Sequence, residues 1–332
     1  MVYTLTGRQS IVLNTRLNGV FTRLLVGFVY ALMLTNMPLE GLPDRHNYIV
    51  MASESSLLYF IRSFNEGFGS LLFNEPLWRL INAGLSLVFE PGSIVRGMVF
   101  FNSFVASYIV LEKTKLNPMW GLVILFSPVF LINQAIQIRQ GLATAIFLYS
   151  FYFCRGQKKL YLYFLTPFIH SSFFFVVFVI FFRRLSVRLK LSIFSQLIVW
   201  GVLSVFIGLF SMKLSGTLGA RQTDQYTEAA DISGMGFIFW IFVLFIMFVS
   251  GPSWIKRNWF SVYMLILYLG SYWFLPVVAR VLESGLVLVL LSVGELKGLK
   301  RYTSYFLISL FLYSAYFTGA KWLLFWIPGF IE

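Results

Sequence analysis

Residues 133–147 read NQAIQIRQGLATAIF. Phe- and Leu-rich runs flank them on both sides, yet Asn133, Gln134, Gln137, Arg139 and Gln140 fall within eight positions. Polar side chains in hydrocarbon are costly and are kept for a task. After Arg139 come Gly141, Ala143 and Ala145, small residues that let a neighbouring helix approach closely. The stretch predicts a tightly packed membrane helix with an arginine where it meets the interface. A guanidinium presents a planar fork suited to phosphate and carboxylate oxygens. The same arginine would serve a plainer end by snorkelling to headgroups or pairing with an internal carboxylate.

The rest of the chain supports the membrane reading. Of 332 residues, 58% are hydrophobic and 12% charged, against about 25% charged in a soluble domain. Apolar segments lie near 20–37, 70–89, 94–111, 119–134, 140–154, 160–182, 193–212, 236–251, 259–275, 276–294 and 302–319. They are continuous Leu, Phe, Val and Ile runs, whereas barrel strands would alternate apolar with polar. The expectation is an all-α polytopic membrane protein of about ten to twelve spanning or re-entrant helices, one integral membrane domain over residues 1–332. Residues 1–19 are too polar for the apolar part of a cleavable signal, so the first span is expected to act as one. Two long polar loops interrupt the pattern, at 38–69 and 213–235.

The net charge of +13 does not indicate nucleic acid. No compact basic domain is evident to neutralise phosphates, and Lys and Arg gather in short loops as cytoplasmic loops do. A single cysteine, Cys154, excludes an internal disulfide and a cysteine metal cluster, and His46 and His170 leave little for zinc. No close Asp-x-Asp pair suggests a divalent cation site, so no metal is expected.

Loop charge orients the chain. Arg8, Arg16 and Arg23 place the N-terminus inside, as do Arg183, Arg184, Arg188 and Lys190 their own loop, Lys256 and Arg257 another, and Lys297, Lys300 and Arg301 a third. Strict alternation of eleven spans would then leave Arg155, Lys158 and Lys159 outside. Reversing residues 113–159 brings these and Lys113 and Lys115 inside and puts Arg139 outside, if two apolar stretches fail to cross. Pro91-Gly92 and Pro167 offer the breaks, because proline interrupts a helix. This second topology is preferred. It places Asp44, Arg139 and the 213–235 loop on one outer side, with His170 at the turn of a re-entrant segment.

Other residues could share the chemistry. Arg280 follows SYWFLPVVA and offers a second fork. Two arginines at outer helix ends would neutralise a pyrophosphate without a metal. FIHSSFFF sets His170 beside two serines, either as a packed, hydrogen-bonded residue or as a phosphate donor or hydroxyl base. NEPLWRL spaces Glu75 and Arg79 for an ion pair on one helix face, with Pro76 in the first turn; Glu75 or Asp44 could instead activate an acceptor. Tyr48, Tyr59 and Trp78 would stack on sugars or form an aromatic belt.

These motifs in this order resemble the EpsG branch of the Wzy-type polysaccharide polymerases. The resemblance rests on Asp44 and Tyr48, then Glu75-Pro76-Leu77, then IRQGLA with Arg139 and Gln140, then RGQKK and His170-Ser171, then Tyr226 and Arg280. It covers roughly residues 38–292, and departs at ARVLESG, where an Arg-Leu pairing is expected after Arg280. It implies a helical glycosyltransferase fold related to the GT-C class, in the bacterial cytoplasmic membrane with its site outward. Such an enzyme moves the growing glycan from undecaprenyl diphosphate to a repeat unit on the same lipid. No cofactor is implied; a chain-length regulator is an expected partner. Arg139, Arg280 and Arg221 would hold the diphosphate, Arg139, His170, Glu75 and Asp44 would act in catalysis, and Tyr48, Gln140 and Tyr226 would contact substrate. The alternatives are a flippase for lipid-linked sugar, although no repeat symmetry is evident, and a membrane acyltransferase, which needs a carboxylate near His170 that the local sequence lacks.

Overall fold

The computed structural model describes residues 7–39, 42, 44–53, 56–65, 67–217, 234–275 and 278–318, with side chains from residue 19 onward in the first helix. Every regular element among the described residues is helical. The order is α1 (Gly7–Thr35), α2 (Arg45–Ser53), α3 (Ser56–Asn65), α4 (Phe68–Phe73), α5 (Pro76–Leu85), α6 (Pro91–Lys113), α7 (Pro118–Leu125), α8 (Pro128–Ala135), α9 (Ile138–Phe153), α10 (Gly156–Leu165), α11 (Phe173–Arg188), α12 (Ile193–Thr217), α13 (Met235–Val249), α14 (Pro252–Arg257), α15 (Trp259–Ser271), α16 (Val278–Val293) and α17 (Leu299–Thr318). A 3₁₀ turn, Thr166–Phe168, joins α10 to α11. Proline sets many of the starts: Pro76, Pro91, Pro118, Pro128 and Pro252 each occupy the first turn of a helix, where a missing N–H costs nothing.

The chain is an all-α polytopic membrane protein, but its spans are less uniform than the apolar runs predict. Among the described residues, Pro91–Lys113 and Ile193–Ser211 are long and apolar enough to cross alone, and α7 with α8, bent by 58°, would make a third. The remaining apolar runs expected to span or re-enter are shorter or broken helices among the described residues. Prolines, glycines and polar residues divide the runs, as Ser127-Pro128 divides 119–134.

Two of the apolar runs are broken in the structure, at positions slightly different from those expected. Residues 70–89 form only the short helices α4 and α5, parted at Asn74-Glu75. Ten residues of α5 reach about 15 Å, half of a hydrocarbon core of about 30 Å. Residues 160–182 form two legs, α10 and α11, that turn at Pro167 with His170 in the bend. Pro91-Gly92 is not a break within a span; it opens α6, one of the helices long and apolar enough to cross.

Helix α9 packs against α6 through its small residues. Ala143 and Ala145 are fully buried, and a methyl at Gly141 would collide with the Asn133 carbonyl oxygen and press on Asn102. The other half of the body is built by α12, α15 and α16. There Trp200 donates Nε1–H to the Tyr263 carbonyl at 2.8 Å, and Tyr263 donates its hydroxyl to Gln196 at 2.7 Å. Trp120 ties α7 to α16 through the Leu290 carbonyl at 2.9 Å. These buried polar tips are satisfied by long-range partners, which fixes helix register where apolar contact alone would slide.

The two ends of the helical body differ in chemistry. One carries Arg23 paired with Glu112 at 2.7 Å, Lys113 4.2 Å from the Tyr152 ring, Arg183 over Trp259, and Lys300 on the Val249 carbonyl at 2.8 Å. The other gathers the ends of α1, α8 and α15 and the starts of α6, α9, α11, α13 and α16, and here the polar centre lies.

Candidate functional site

Glu75 is the hub of that centre. It precedes α5 in the left-handed conformation, φ 58° and ψ 55°, which β-carbon-bearing residues adopt at a cost. The conformation turns its carboxylate away from α5. The expected ion pair with Arg79 does not form; Arg79 donates Nε–H to the Asn74 carbonyl at 3.1 Å, and the carboxylate takes partners from two distant segments. Oε2 pairs with Arg139 Nη1. Oε1 lies 2.8 Å from His170 Nδ1 and accepts the Ser171 backbone N–H at 3.3 Å.

Arg139 reaches Glu75 because α8 does not run on into α9. Helix α8 ends at Ala135, and Gln137, at φ −82° and ψ 62°, makes an inverse γ-turn in which the Ile138 N–H meets the Ile136 carbonyl at 2.9 Å. Arg139 thus sits in the first turn of α9. Its Nε donates to the Tyr48 hydroxyl at 3.5 Å, and its guanidinium carbon stands 5.6 Å from that ring. Tyr48 is buried and packs edge-on against Trp78 at 5.6 Å. Arg139 keeps 30% of its side chain exposed while Glu75 keeps 5%, so one edge is held by protein and the other faces outward. Of the two plain roles open to Arg139 in the sequence, pairing with an internal carboxylate is realised.

Burial pushes the Glu75 carboxyl up, but Arg139, His170 and the Ser171 amide together outweigh it and hold it at about 2. A carboxylate so held is a poor proton acceptor near neutrality. It is well suited to orient His170. With Nδ1–H donated to Glu75, the imidazole presents Nε2, and that buried atom makes no hydrogen bond among the described residues.

A second layer locks the centre to α16. Gln140 donates Nε2–H to the Arg280 carbonyl and to Ser284 Oγ, each at 3.3 Å. Ser284 Oγ lies 2.6 Å from Ser172 Oγ and donates to the Arg280 carbonyl at 3.0 Å. The residue after Arg139, the residue two after His170 and the first two turns of α16 are thereby knotted together. Arg280 is exposed at the edge of this knot.

The fold thus assembles Tyr48, Glu75, Arg139 and His170 directly and brings Gln140 and Arg280 alongside. Asp44 is exposed and contributes its carbonyl to the Tyr48 N–H at 3.2 Å; among the described residues its carboxylate makes no hydrogen bond or ion pair to the cluster. Arg221 and Tyr226 lie outside the described residues. Among the described residues no three His, Cys, Asp or Glu side chains gather as a metal site. The sequence reading missed Ser172 and Ser284, which carry no local signal, and Arg45, buried beside this centre. It also set aside a carboxylate for His170 because none is near in sequence; the fold supplies Glu75 from 95 residues away.

Neither the curated proteins nor the solved structures compared with the chain give a match. The model of the EpsG family matches residues 24–327, nearly the whole chain and every element of the centre. The order of motifs, the membrane helices and this match agree: the chain belongs to the EpsG family.

Proposed function

We propose that the protein is a polysaccharide polymerase, a membrane glycosyltransferase that lengthens a glycan carried on undecaprenyl diphosphate. The observation that carries the reading is the Glu75–Arg139–His170 cluster, a guanidinium with an open edge beside an imidazole held by a carboxylate. The acceptor is a lipid-linked repeat unit, and its hydroxyl lies against His170. As the hydroxyl oxygen bonds to the donor's anomeric carbon, its proton passes to His170 Nε2, and the imidazolium is stabilised by Glu75. The bond from that carbon to the diphosphate oxygen breaks, and its electron pair leaves with the lipid diphosphate. Arg139 and Arg280 meet the charge that develops there, with Arg221 as a third cation. Tyr226 contacts the sugars and Asp44 lines the approach, while Tyr48 and Gln140, buried, brace Arg139 and the start of α16 from within. The acyltransferase reading regains its missing carboxylate through Glu75, but family membership favours glycan chemistry.

Purified protein in liposomes, given radiolabelled lipid-linked repeat unit, should produce a ladder of longer glycans, and EDTA should leave the ladder intact. Label that changes leaflet without lengthening would identify a flippase. Loss of the ladder on chelation, restored by magnesium or manganese, would overturn the metal-free account.

The centre faces the cell exterior in this reading, since the opposite end carries the basic loops. In a Cys154→Ser background, Asp44→Cys should react with an impermeant maleimide added outside intact cells, and Lys158→Cys only after the membrane is opened. The reverse pattern would place the centre inside.

A further inference from the structure

Arg45 is fully buried at the start of α2, and among the described residues no carboxylate pairs with it. Its guanidinium is surrounded by carbonyls from two helix ends. Nη2 donates to Leu34 in the last turn of α1 at 3.3 Å, and Nη1 to Met37 and Pro38 just past its end at 2.9 and 3.0 Å. Nε donates to Ala135, the last residue of α8, at 2.9 Å. The last carbonyls of a helix have no partner within it and carry the negative end of its dipole. Two such ends converging on one cation compensate its burial. With four of its five N–H donors committed and no exposed surface, Arg45 cannot itself grip a ligand.

Its position matters because of what adjoins it. Ala135 is the residue from which the γ-turn at Gln137 departs to place Arg139. Tyr48, three residues after Arg45 on α2, is the ring against which Arg139 rests. Arg45 therefore controls both sides of Arg139, the turn that delivers it and the ring that supports it. We propose that Arg45 is a positioning residue for the glycan-transfer centre, locking the end of α8 to the end of α1 so that Arg139 and Tyr48 hold one geometry. The assignment rests on the reading of that centre given above. Lysine cannot fill this role, because a point charge on a flexible stem does not span carbonyls of two helices as a planar fork does.

The test uses the full chain with Cys154→Ser and Gln137→Cys, carrying Arg45, Arg45→Lys or Arg45→Gln; the glutamine variant buries no charge and keeps two N–H donors. Maleimide labelling at position 137 reports the turn without reference to activity, and elongation of the lipid-linked repeat unit is followed on the same three Arg45 variants with Gln137 retained. Both variants should label faster than the parent. Both should show kcat lower by about 10- to 100-fold with KM little changed, the result of a displaced but intact binding surface. Labelling and elongation equal to the parent would overturn the proposal, as would absence of both variants from the membrane, which would make Arg45 a folding residue only. Faster labelling in the variants with no elongation even by the parent would support the lock and strike the transfer reading alone.

Discussion

Arg139→Lys should slow glycan elongation by about 30- to 1000-fold, equivalent to about 2–4 kcal/mol of transition-state stabilisation. Arginine answers two demands at once. Its inner edge is committed to Glu75 and Tyr48, and its outer edge is left for the departing diphosphate. An ammonium is a single point and serves one of these or the other. Arg139→Ala should cost at least as much, and it also leaves Glu75 buried without its main counter-charge. Glycan chain length, read at matched protein level, checks both variants. Full-length polymer from Arg139→Lys would mean that a charge suffices and that the fork has no role; an anchor that merely snorkels tolerates lysine.

Glu75→Gln should be more damaging still. It removes the counter-charge of Arg139 and the acceptor that orients His170 in one change. Breaking a buried ion pair by deleting one partner costs about 3–5 kcal/mol, so stability and rate should both fall, the rate by at least about 100-fold. The stability that Glu75 contributes has a definite pH window. Its folded-state value, near 2, lies below the ordinary 4.5. The contribution is therefore complete above about pH 5 and is lost as pH falls toward 2. The difference in thermal stability between the parent and Glu75→Gln should narrow as pH falls below about 5.

The helices were legible in the sequence because apolar runs, prolines and loop charge act locally. NQAIQIRQGLATAIF announced a close-packed helix with a polar start, and Gly141, Ala143 and Ala145 pack as small residues should. The break in the helix just before His170 followed from Pro167. The number of unbroken spans was not legible, since hydropathy averages across the kinks at Ser127-Pro128 and Asn74-Glu75. The centre was legible as a set of residue types and not as a set of contacts. Glu75 was read with Arg79, its neighbour at helical spacing, because nothing local reveals the left-handed turn that aims it at Arg139 and His170. Arg45 was passed over for the opposite reason. In sequence it is one more charge in a polar loop, and only the convergence of two helix ends makes it an interior residue.

In this mechanism His170, oriented by Glu75, takes part in bond formation, and the pair does not merely hold the fold. Single-turnover elongation by His170→Gln, at saturating lipid-linked repeat unit and with binding measured separately on the same protein, tests it most directly. The expected result is binding within a few-fold of the parent and bond formation slower by about 100-fold or more, the usual range for loss of a general base. Bond formation at the parental rate in that folded, substrate-bound variant would contradict the account.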